Sequence, residues 1–334
     1  MTRGSGAQGA SGVPGATGVP GATGVPPATG VPGTCGGPTA AGAPGASRVP
    51  TAADVPTGSA TPPLTWLYVP GDRPRTVVKA LGAGADVVVV DLEDAVAPDR
   101  KEYARAATAE LLGEPQPVPV HVRVNDLDGP LAAADLAAVA ALPGVSGLRL
   151  PKVTSPAQIV RVAERTAPVG GGVPALYALL ESALGVELAH AIATAHPALR
   201  GIALGEADLR ADLGVRDDAG LDWPRSRVVV AARAAGLAPP PQSVHPDTRD
   251  LVGLAASCAR GRALGFLGRA AIHPRQLPVI ERAYLPTREE IEQAETVVAA
   301  AAAEQGAQAL ADGRFVDEAV VVAARRTLSL AHRR

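Results

Sequence analysis

Three carboxylates in four residues, Asp91-Leu92-Glu93-Asp94, close the apolar run Ala85–Leu92. Other short apolar runs end on ionic residues in the same way. Val118–Val124 closes on Arg123-Val124-Asn125, Gly147–Val153 holds Pro151-Lys152, and Ala175–Leu180 gives way to Glu181-Ser182. Leu199–Leu204 leads into Gly205-Glu206-Ala207-Asp208, and Phe266–Ile272 into His273-Pro274. Carboxylates gathered in one place repel one another unless a cation joins them. Glu181 and Asp208 are the natural pair of hard oxygen ligands, and two carboxylates completed by water and substrate oxygens suit Mg²⁺. No Cys or His cluster accompanies them, which argues against Zn²⁺. Arg123 carries a planar fork that matches a substrate carboxylate. Each residue also has an ordinary reading. Glu181 fits a helix start at the positive end of the dipole, Asp208 a helix N-cap, and the 91–94 acids a solvated turn. Lys152 either adds positive potential or snorkels from a strand end.

These side chains converge only in a fold that places many strand ends around one opening. Leu64–Val69 reads as a first strand, and Asp72 as the N-cap of a helix with Pro74 in its first turn. Ala85–Leu92 is a β-branched run of the kind buried on both faces. Helices are predicted over Pro98–Leu112, Leu131–Leu142, from Ser155-Pro156-Ala157-Gln158 onward, through about Ala195, over Trp223–Ala235 capped by Asp222, and over Arg249–Leu264. Strands three to six and eight are the runs named above. The seventh belongs near Gln242–Val244, where Pro239-Pro240-Pro241 weakens it. Eight strands alternating with helices predict an α/β chain folded as a closed (β/α)8 TIM barrel. An open doubly wound sheet is the alternative, but no glycine-rich phosphate fingerprint follows the first strand. Thr287-Arg288-Glu289-Glu290 forms a capping box opening a helix to about Glu304; Gln305–Gly313 reads as a linker, and Arg314–Ala331 as an appendage outside the eightfold unit. The division is therefore a tail over 1–63, a barrel over 64–286 and a C-terminal helical arm over 287–334.

Composition supports that division. Of 334 residues, 37 are Gly and 32 Pro. Residues 1–63 hold 15 Gly, 11 Pro and no aromatic, so burial there cannot offset the entropy of ordering. Pro recurs every six residues from Pro14 to Pro56, and Gly falls at every third position from Gly9 to Gly45 except at Pro27 and Thr39. Those interruptions argue against a collagen triple helix and for a disordered, polyproline-rich tail or translated sequence upstream of the true start. A net charge of −2 without a basic stripe excludes nucleic acid as the expected partner. Neither a membrane span nor a secretory signal is expected. Cys35 and Cys258 give no disulfide framework, so a reducing cytoplasm is the default compartment.

Seven ordered motifs carry a resemblance over roughly 64–331. Leu67-Tyr68-Val69-Pro70-Gly71, Asp91-Leu92-Glu93-Asp94-Ala95-Val96, Arg123-Val124-Asn125, Leu150-Pro151-Lys152, Glu181-Ser182-Ala183, Gly205-Glu206-Ala207-Asp208-Leu209 and Ile272-His273-Pro274-Arg275-Gln276 resemble the citrate lyase β-subunit-like / HpcH–HpaI aldolase family. The resemblance implies a Mg²⁺-dependent barrel, homotrimeric or homohexameric, that cleaves or forms carbon–carbon bonds in acyl-thioesters. Glu181 and Asp208 then match the metal ligands, and Arg123 the residue holding a 2-oxo acid carboxylate. Glu93 and Asp94 match the acids around the metal's waters. Tyr68, Arg73 and Arg75, with Pro274 and Gln276, lie where CoA is gripped, and Arg269 stands where a Lys commonly pairs with phosphate. Asp317 matches an acid/base delivered into a neighbouring subunit's mouth; its ordinary reading is the N-cap of a helix over Glu318–Leu330. The expected substrates are an acyl-CoA and a 2-oxo acid, of the malyl-CoA, citramalyl-CoA or β-methylmalyl-CoA kind. Alternatives are a malyl-CoA-type thioesterase, a citrate lyase β subunit, a CoA-independent hydroxy-oxo-acid aldolase, or a scaffold built on a degenerate barrel. The basic residue usual before the first strand is absent, and Pro239–Val244 replaces a stretch that usually ends in an acid.

Overall fold

A computed structural model describes residues 62–167, 173–303, 308–309, 313 and 315–333. The repeat in residues 1–63 and most of the expected linker lie outside the described residues. Six strands alternate with helices from the start: β1 (Thr65–Pro70), β2 (Val87–Asp91), β3 (Val120–Arg123), β4 (Gly147–Leu150), β5 (Leu176–Leu180) and β6 (Leu199–Leu204). The helices between and after them are α1 (Pro74–Leu81), α2 (Lys101–Leu112), α3 (Ala132–Val139), α4 (Pro156–Thr166), α5 (Ala183–Glu187), α6 (Ala189–Ala193), α7 (Glu206–Leu213), α8 (Asp222–Ala234) and α9 (Leu251–Ala263). A seventh strand, β7 (Arg269–Ala271), precedes α10 (Leu277–Tyr284), α11 (Arg288–Ala303) and α12 (Glu318–Ala331). Two short strands, β8 (Gln308–Ala309) and β9 (Phe315–Val316), pair antiparallel before α12.

The seven barrel strands form one parallel sheet in the order β6-β5-β4-β3-β2-β1-β7. Alternation along each strand sorts side chains between two surroundings. In β2, Val88 and Val90 join the large apolar layer under the helices, while Val87 and Val89 pack with Trp66 in the lumen. Each of these fully buried side chains is worth about 1.5–3 kcal/mol.

The barrel expectation holds with one seam. The expected seventh strand is reduced to a single parallel bridge, Gln242 to Arg269. Gln242 N–H donates to Gly268 O, and Ala270 N–H to Gln242 O, both at 3.0 Å, so Gln242 spends its backbone groups on β7. Its neighbour Pro241 faces the other way and has no N–H to offer β6. Among the described residues, Glu206 N–H to Ser243 Oγ at 3.2 Å ties the two sides of that gap. Gly268, with φ of 77°, makes the turn into β7; a Cβ there would lie 2.7 Å from Leu64 Cα, so no other residue fits.

Local signals account for several elements. Pro156 occupies the first turn of α4, and Gln158 Oε1 accepts from Ser155 N–H at 3.0 Å, as its capping box predicts. Thr287 and Glu290 exchange the same pair of bonds ahead of α11. Two caps differ from expectation. Arg73, not Asp72, sits at the N-cap of α1, and Asp72 instead faces Arg100 at 3.8 Å. Asp222 lies inside α8 and pairs with Arg260 rather than capping.

After the barrel, α11 and α12 share a small core of Ala294, Val297, Val316, Val321 and Ala324. The chain then returns to the barrel. Arg333 bonds Pro62 O and Asp86, whose carboxylate also accepts Leu64 N–H at 2.8 Å. This clasp closes the N-terminal end of β1. Among the described residues no helix is long and apolar enough to cross a membrane.

The lumen also holds His121, stacked on Tyr177 with ring centroids 4.4 Å apart. Burial, then the nearby Arg149 charge, holds its pKa well below the ordinary value. The folded chain therefore keeps His121 neutral while the unfolded chain protonates it. Stability is unaffected above about pH 6.5 and falls below it by up to ~1.4 kcal/mol per pH unit. Urea unfolding from pH 7.5 to 5 should show a shallower loss in His121→Phe than in the wild type; parallel slopes refute the assignment.

Candidate active site

The C-terminal ends of β1 to β6 open into one cavity of about 530 Å³. Tyr68, Arg73, Asp91, Asp94, Arg123, Glu181 and Asp208 all line it. The ionic ends of β2, β3, β5 and β6 therefore meet at one mouth.

Asp91 organises the first half of the site. Its carboxylate is 1% exposed and takes a two-pronged pair from Arg123, Nε to Oδ1 at 2.7 Å and Nη2 to Oδ2 at 2.6 Å. It also accepts Glu93 N–H at 2.9 Å and Ala95 N–H at 3.1 Å, which folds the 91–95 turn around it. Arg123 Nη1 lies 2.9 Å from Glu93 Oε2. Burial opposes the Arg123 charge, but the bonds to Asp91 outweigh it and hold the guanidinium firmly protonated. From outside the mouth, Lys101 Nζ ties Leu92 O, Glu93 O and Asn125 Oδ1 at 2.6–2.9 Å. Asn125 itself turns away to Asp135.

Glu181 and Asp208 form the second half. Glu181 is 6% exposed, and its Oε2 has no hydrogen-bond partner. Burial, then the neighbouring Glu93 charge, pushes its carboxyl up to about 7. Glu181 can sit there because Gly205, which opens the turn into α7, has no side chain. A Cβ on Gly205 would lie 2.5 Å from Glu181 Oε1 and 2.7 Å from Cδ. Asp208 falls in the first turn of α7 and is half exposed. Glu206, between them, is drawn off to Arg225 through bonds of 2.9 and 2.6 Å.

Lys152 joins the halves. It follows β4 at φ of 52°, in the left-handed region, and its ammonium bonds Glu93. The same Nζ lies 3.3 Å from Asp208 Oδ2, 3.5 Å from Asp94 Oδ2 and 3.8 Å from Glu181 Oε2. Burial pulls its pKa down, but Glu93, Glu181 and Asp94 outweigh that and raise it. Lys152 thus serves as a cation among acids and does not snorkel into solvent.

Among the described residues no group of three or more His, Cys, Asp or Glu is arranged to hold a metal ion. The donors present still fit a hard divalent ion. Two carboxylates with an unpartnered buried oxygen already bracket a cation, and Mg²⁺ is commonly held by one or two carboxylates plus water.

The remaining expected residues scatter. Arg73 lines the mouth, whereas Arg75 is exposed on α1 outside the cavity lining. Pro274 is exposed at the turn after β7. Gln276 is fully buried, accepting Ile272 N–H and His273 N–H and donating to His245 O, so its amide shapes the turn and cannot reach a ligand. Arg269 lies apart from the mouth. It is 4% exposed and points from β7 to Ser257 Oγ at 2.9 Å, while its neighbour Ala270 faces the cavity. Strand parity puts it behind the wall. Asp317 is the N-cap of α12, accepting Val320 N–H at 3.0 Å, and does not line the cavity of its own chain. Sequence reasoning missed Asp91 as the holder of Arg123, and Gly205; the signal for Asp91 was its even spacing from the inward Val87 and Val89.

The HpcH/HpaI aldolase/citrate lyase family profile matches residues 64–274. A (3S)-malyl-CoA thioesterase of Cereibacter sphaeroides is 38% identical over 274 residues, spanning 79% of this chain and 93% of that protein. Citrate lyase subunit beta of Leuconostoc mesenteroides subsp. cremoris is 35% identical over 285 residues, 80% of this chain and 93% of that protein. In structure, the chain is similar to the CitE protein of Mycobacterium tuberculosis in complex with magnesium, acetoacetate and coenzyme A. That match has a TM-score of 0.69 at 35% identity, covering 82% of this chain and 99% of the other.

Proposed function

The chain belongs to the HpcH/HpaI aldolase/citrate lyase family, and from that premise we propose that it is a Mg²⁺-dependent CoA-ester lyase joining or separating an acyl-CoA and a 2-oxo acid. The observation that carries this reading is the shared mouth: the Glu181–Asp208 pair already bracketing a cation, beside the Asp91-held fork of Arg123. Glu181 and Asp208 hold the ion, and Glu93 and Asp94 face its waters. When bound, Mg²⁺ supplies a Lewis acid at the oxygens of the oxo-acid half. Arg123 commits two N–H donors to Asp91 and pairs in charge with Glu93, and its remaining donors receive the oxo-acid carboxylate. In cleavage, the substrate hydroxyl passes its proton to solvent water, its oxygen becomes the oxo group as the bond from its carbon to the thioester α-carbon breaks, and the electron pair of that bond leaves on the acyl-CoA enolate. Protonation of that carbon completes the reaction. Arg73 at the rim, with Tyr68 on the wall below it, would meet the CoA moiety.

Asp317 supplies the proton to a neighbouring copy in a homotrimer or homohexamer. Phe315, 63% exposed two residues before it, offers an apolar anchor for that contact. Asp317→Asn separates this role from capping, because Asn caps a helix as well as Asp. Turnover should fall by about 10²–10⁴-fold with the melting temperature unchanged. Full activity in this variant leaves Asp317 a cap alone.

The test of the reading is a panel of malyl-CoA, citramalyl-CoA and β-methylmalyl-CoA with Mg²⁺. Cleavage to acyl-CoA and 2-oxo acid, lost with EDTA and restored by Mg²⁺, is the expected result. No consumed thioester and no effect of EDTA ends it. The thioesterase relative favours one second reading, hydrolysis at the same site. Free CoA with intact hydroxy acid identifies it.

A further inference from the structure

Arg149 is a buried cation without a counter-charge. It follows Gly147 with the same parity in β4, which aims it into the lumen, and it is 3% exposed. Its Nε has no hydrogen-bond partner, and no ion pair joins it to any described residue. Two of the carboxylates at the mouth are engaged elsewhere: Asp91 with Arg123, and Glu93 with Arg123 and Lys152. What surrounds the guanidinium is aromatic. Its central carbon lies 5.9 Å from the Trp66 ring centroid, 5.8 Å from Tyr68 and 5.6 Å from Tyr177. Such faces offset part of the cost of burying the charge, but they leave its Nε–H without an acceptor. His121, stacked on Tyr177 and close enough to feel the Arg149 charge, is held neutral and supplies no anion.

Arg149 also lines the mouth cavity from below. Beside it the cavity is lined by Arg123 on β3 and Leu179 on β5, and across the lumen, at the seam, by the smaller Ala203 on β6 and Ala270 on β7. The mouth cavity therefore reaches Arg149, which also lines a second, smaller cavity beside Trp66 and Tyr177. Arg123 stands at the upper end of the same lumen, its guanidinium 5.4 Å from the other guanidinium's neighbour, the Tyr68 ring. A ligand that fills both ends carries two anionic groups.

We infer that Arg149 is the receptor for a second anionic group on the 2-oxo acid half of the substrate, and so selects oxo acids with two acidic groups over those with one. This rests on the proposed reading of the mouth. An N–H fork and a carboxylate meet in paired, charge-assisted bonds, and a methyl group in the carboxylate's place leaves the fork unsatisfied. The burial of an uncompensated charge in the ligand-free chain is then a stability cost retained for binding.

The experiment is calorimetry of the full chain with Mg²⁺, using pyruvate and oxaloacetate as probes that differ by the second carboxylate. The wild type should bind oxaloacetate more tightly. Arg149→Met should weaken oxaloacetate by roughly 10–100-fold and leave pyruvate unchanged. Arg149→Lys, which keeps the charge, should retain part of the preference. Without ligand, Arg149→Met should melt at or above the wild-type temperature, because an apolar side chain replaces an unpaired charge. Equal affinity of the wild type for both probes, or a preference unchanged in Arg149→Met, overturns the assignment while leaving the mouth's reading intact. A lower melting temperature with both probes lost makes Arg149 an aromatic-cage tie and overturns it as well. A wild type that binds Mg²⁺ and pyruvate not at all defeats the underlying reading, and the inference falls with it.

Discussion

Gly205→Ala is expected to weaken Mg²⁺ binding by on the order of 100-fold and to reduce turnover at least as far, with little change in stability. The added methyl carbon falls where the Glu181 carboxylate now lies, 2.5 Å from Oε1 and 2.7 Å from Cδ. One of the two must move. The Gly205 backbone, at φ of −98°, is open to any residue, so the turn has no reason to refold. Its N–H also donates to Leu180 O at 3.1 Å, which holds it against β5. Glu181 is the freer partner, since its Oε2 accepts no hydrogen bond. The carboxylate therefore swings away from Asp208, and the pair no longer brackets one ion. Mg²⁺ titration calorimetry with the thioester panel checks this, and thermal melting shows that the fold survives. Wild-type Mg²⁺ affinity in Gly205→Ala would mean that Glu181 is not a ligand.

The limits of sequence reading here follow strand parity. The β-branched run at Val87–Val90 and the capping boxes at Ser155 and Thr287 could be read directly, because each depends on neighbours along the chain. The ionic strand ends were legible for the same reason, since a barrel gathers them at one face whatever its details. Which of them face the mouth was not. Arg269 and Arg149 each stand one step from an apolar residue in a short strand, and only the register decides that one points behind the wall and the other into the lumen. Gln276 reads as a polar residue in an exposed turn, yet its amide is consumed by three backbone groups that the motif does not mention. The reduced seventh strand was foreshadowed by Pro239–Pro241, and the loss is the expected one: a missing N–H on the side facing β6.

Arg123→Met is expected to remove activity and also to lower stability by about 3–5 kcal/mol, the cost of leaving a buried charge without its partner. The two effects have different origins in one side chain. Its Nε and Nη2 face Asp91, which is 1% exposed, and its Nη1 faces Glu93, 4% exposed. Asp91 keeps its bonds from the Glu93 and Ala95 amides, but these do not neutralise a carboxylate. Glu93 keeps Lys152. The uncompensated charge therefore falls mainly on Asp91, so Asp91→Asn in the Arg123→Met background should recover much of the stability. It should recover none of the activity, because the fork that receives the oxo acid is still absent. Arg123→Lys should lie between: a single ammonium can neutralise Asp91 but cannot present a fork to both Asp91 and a ligand. Urea unfolding of the three variants and the wild type, read beside pyruvate affinity with Mg²⁺, separates the contributions. If Arg123→Met unfolds like the wild type, the Asp91 pair contributes nothing to the fold. If instead Asp91→Asn restores pyruvate binding to Arg123→Met, the oxo-acid carboxylate is held by some other group.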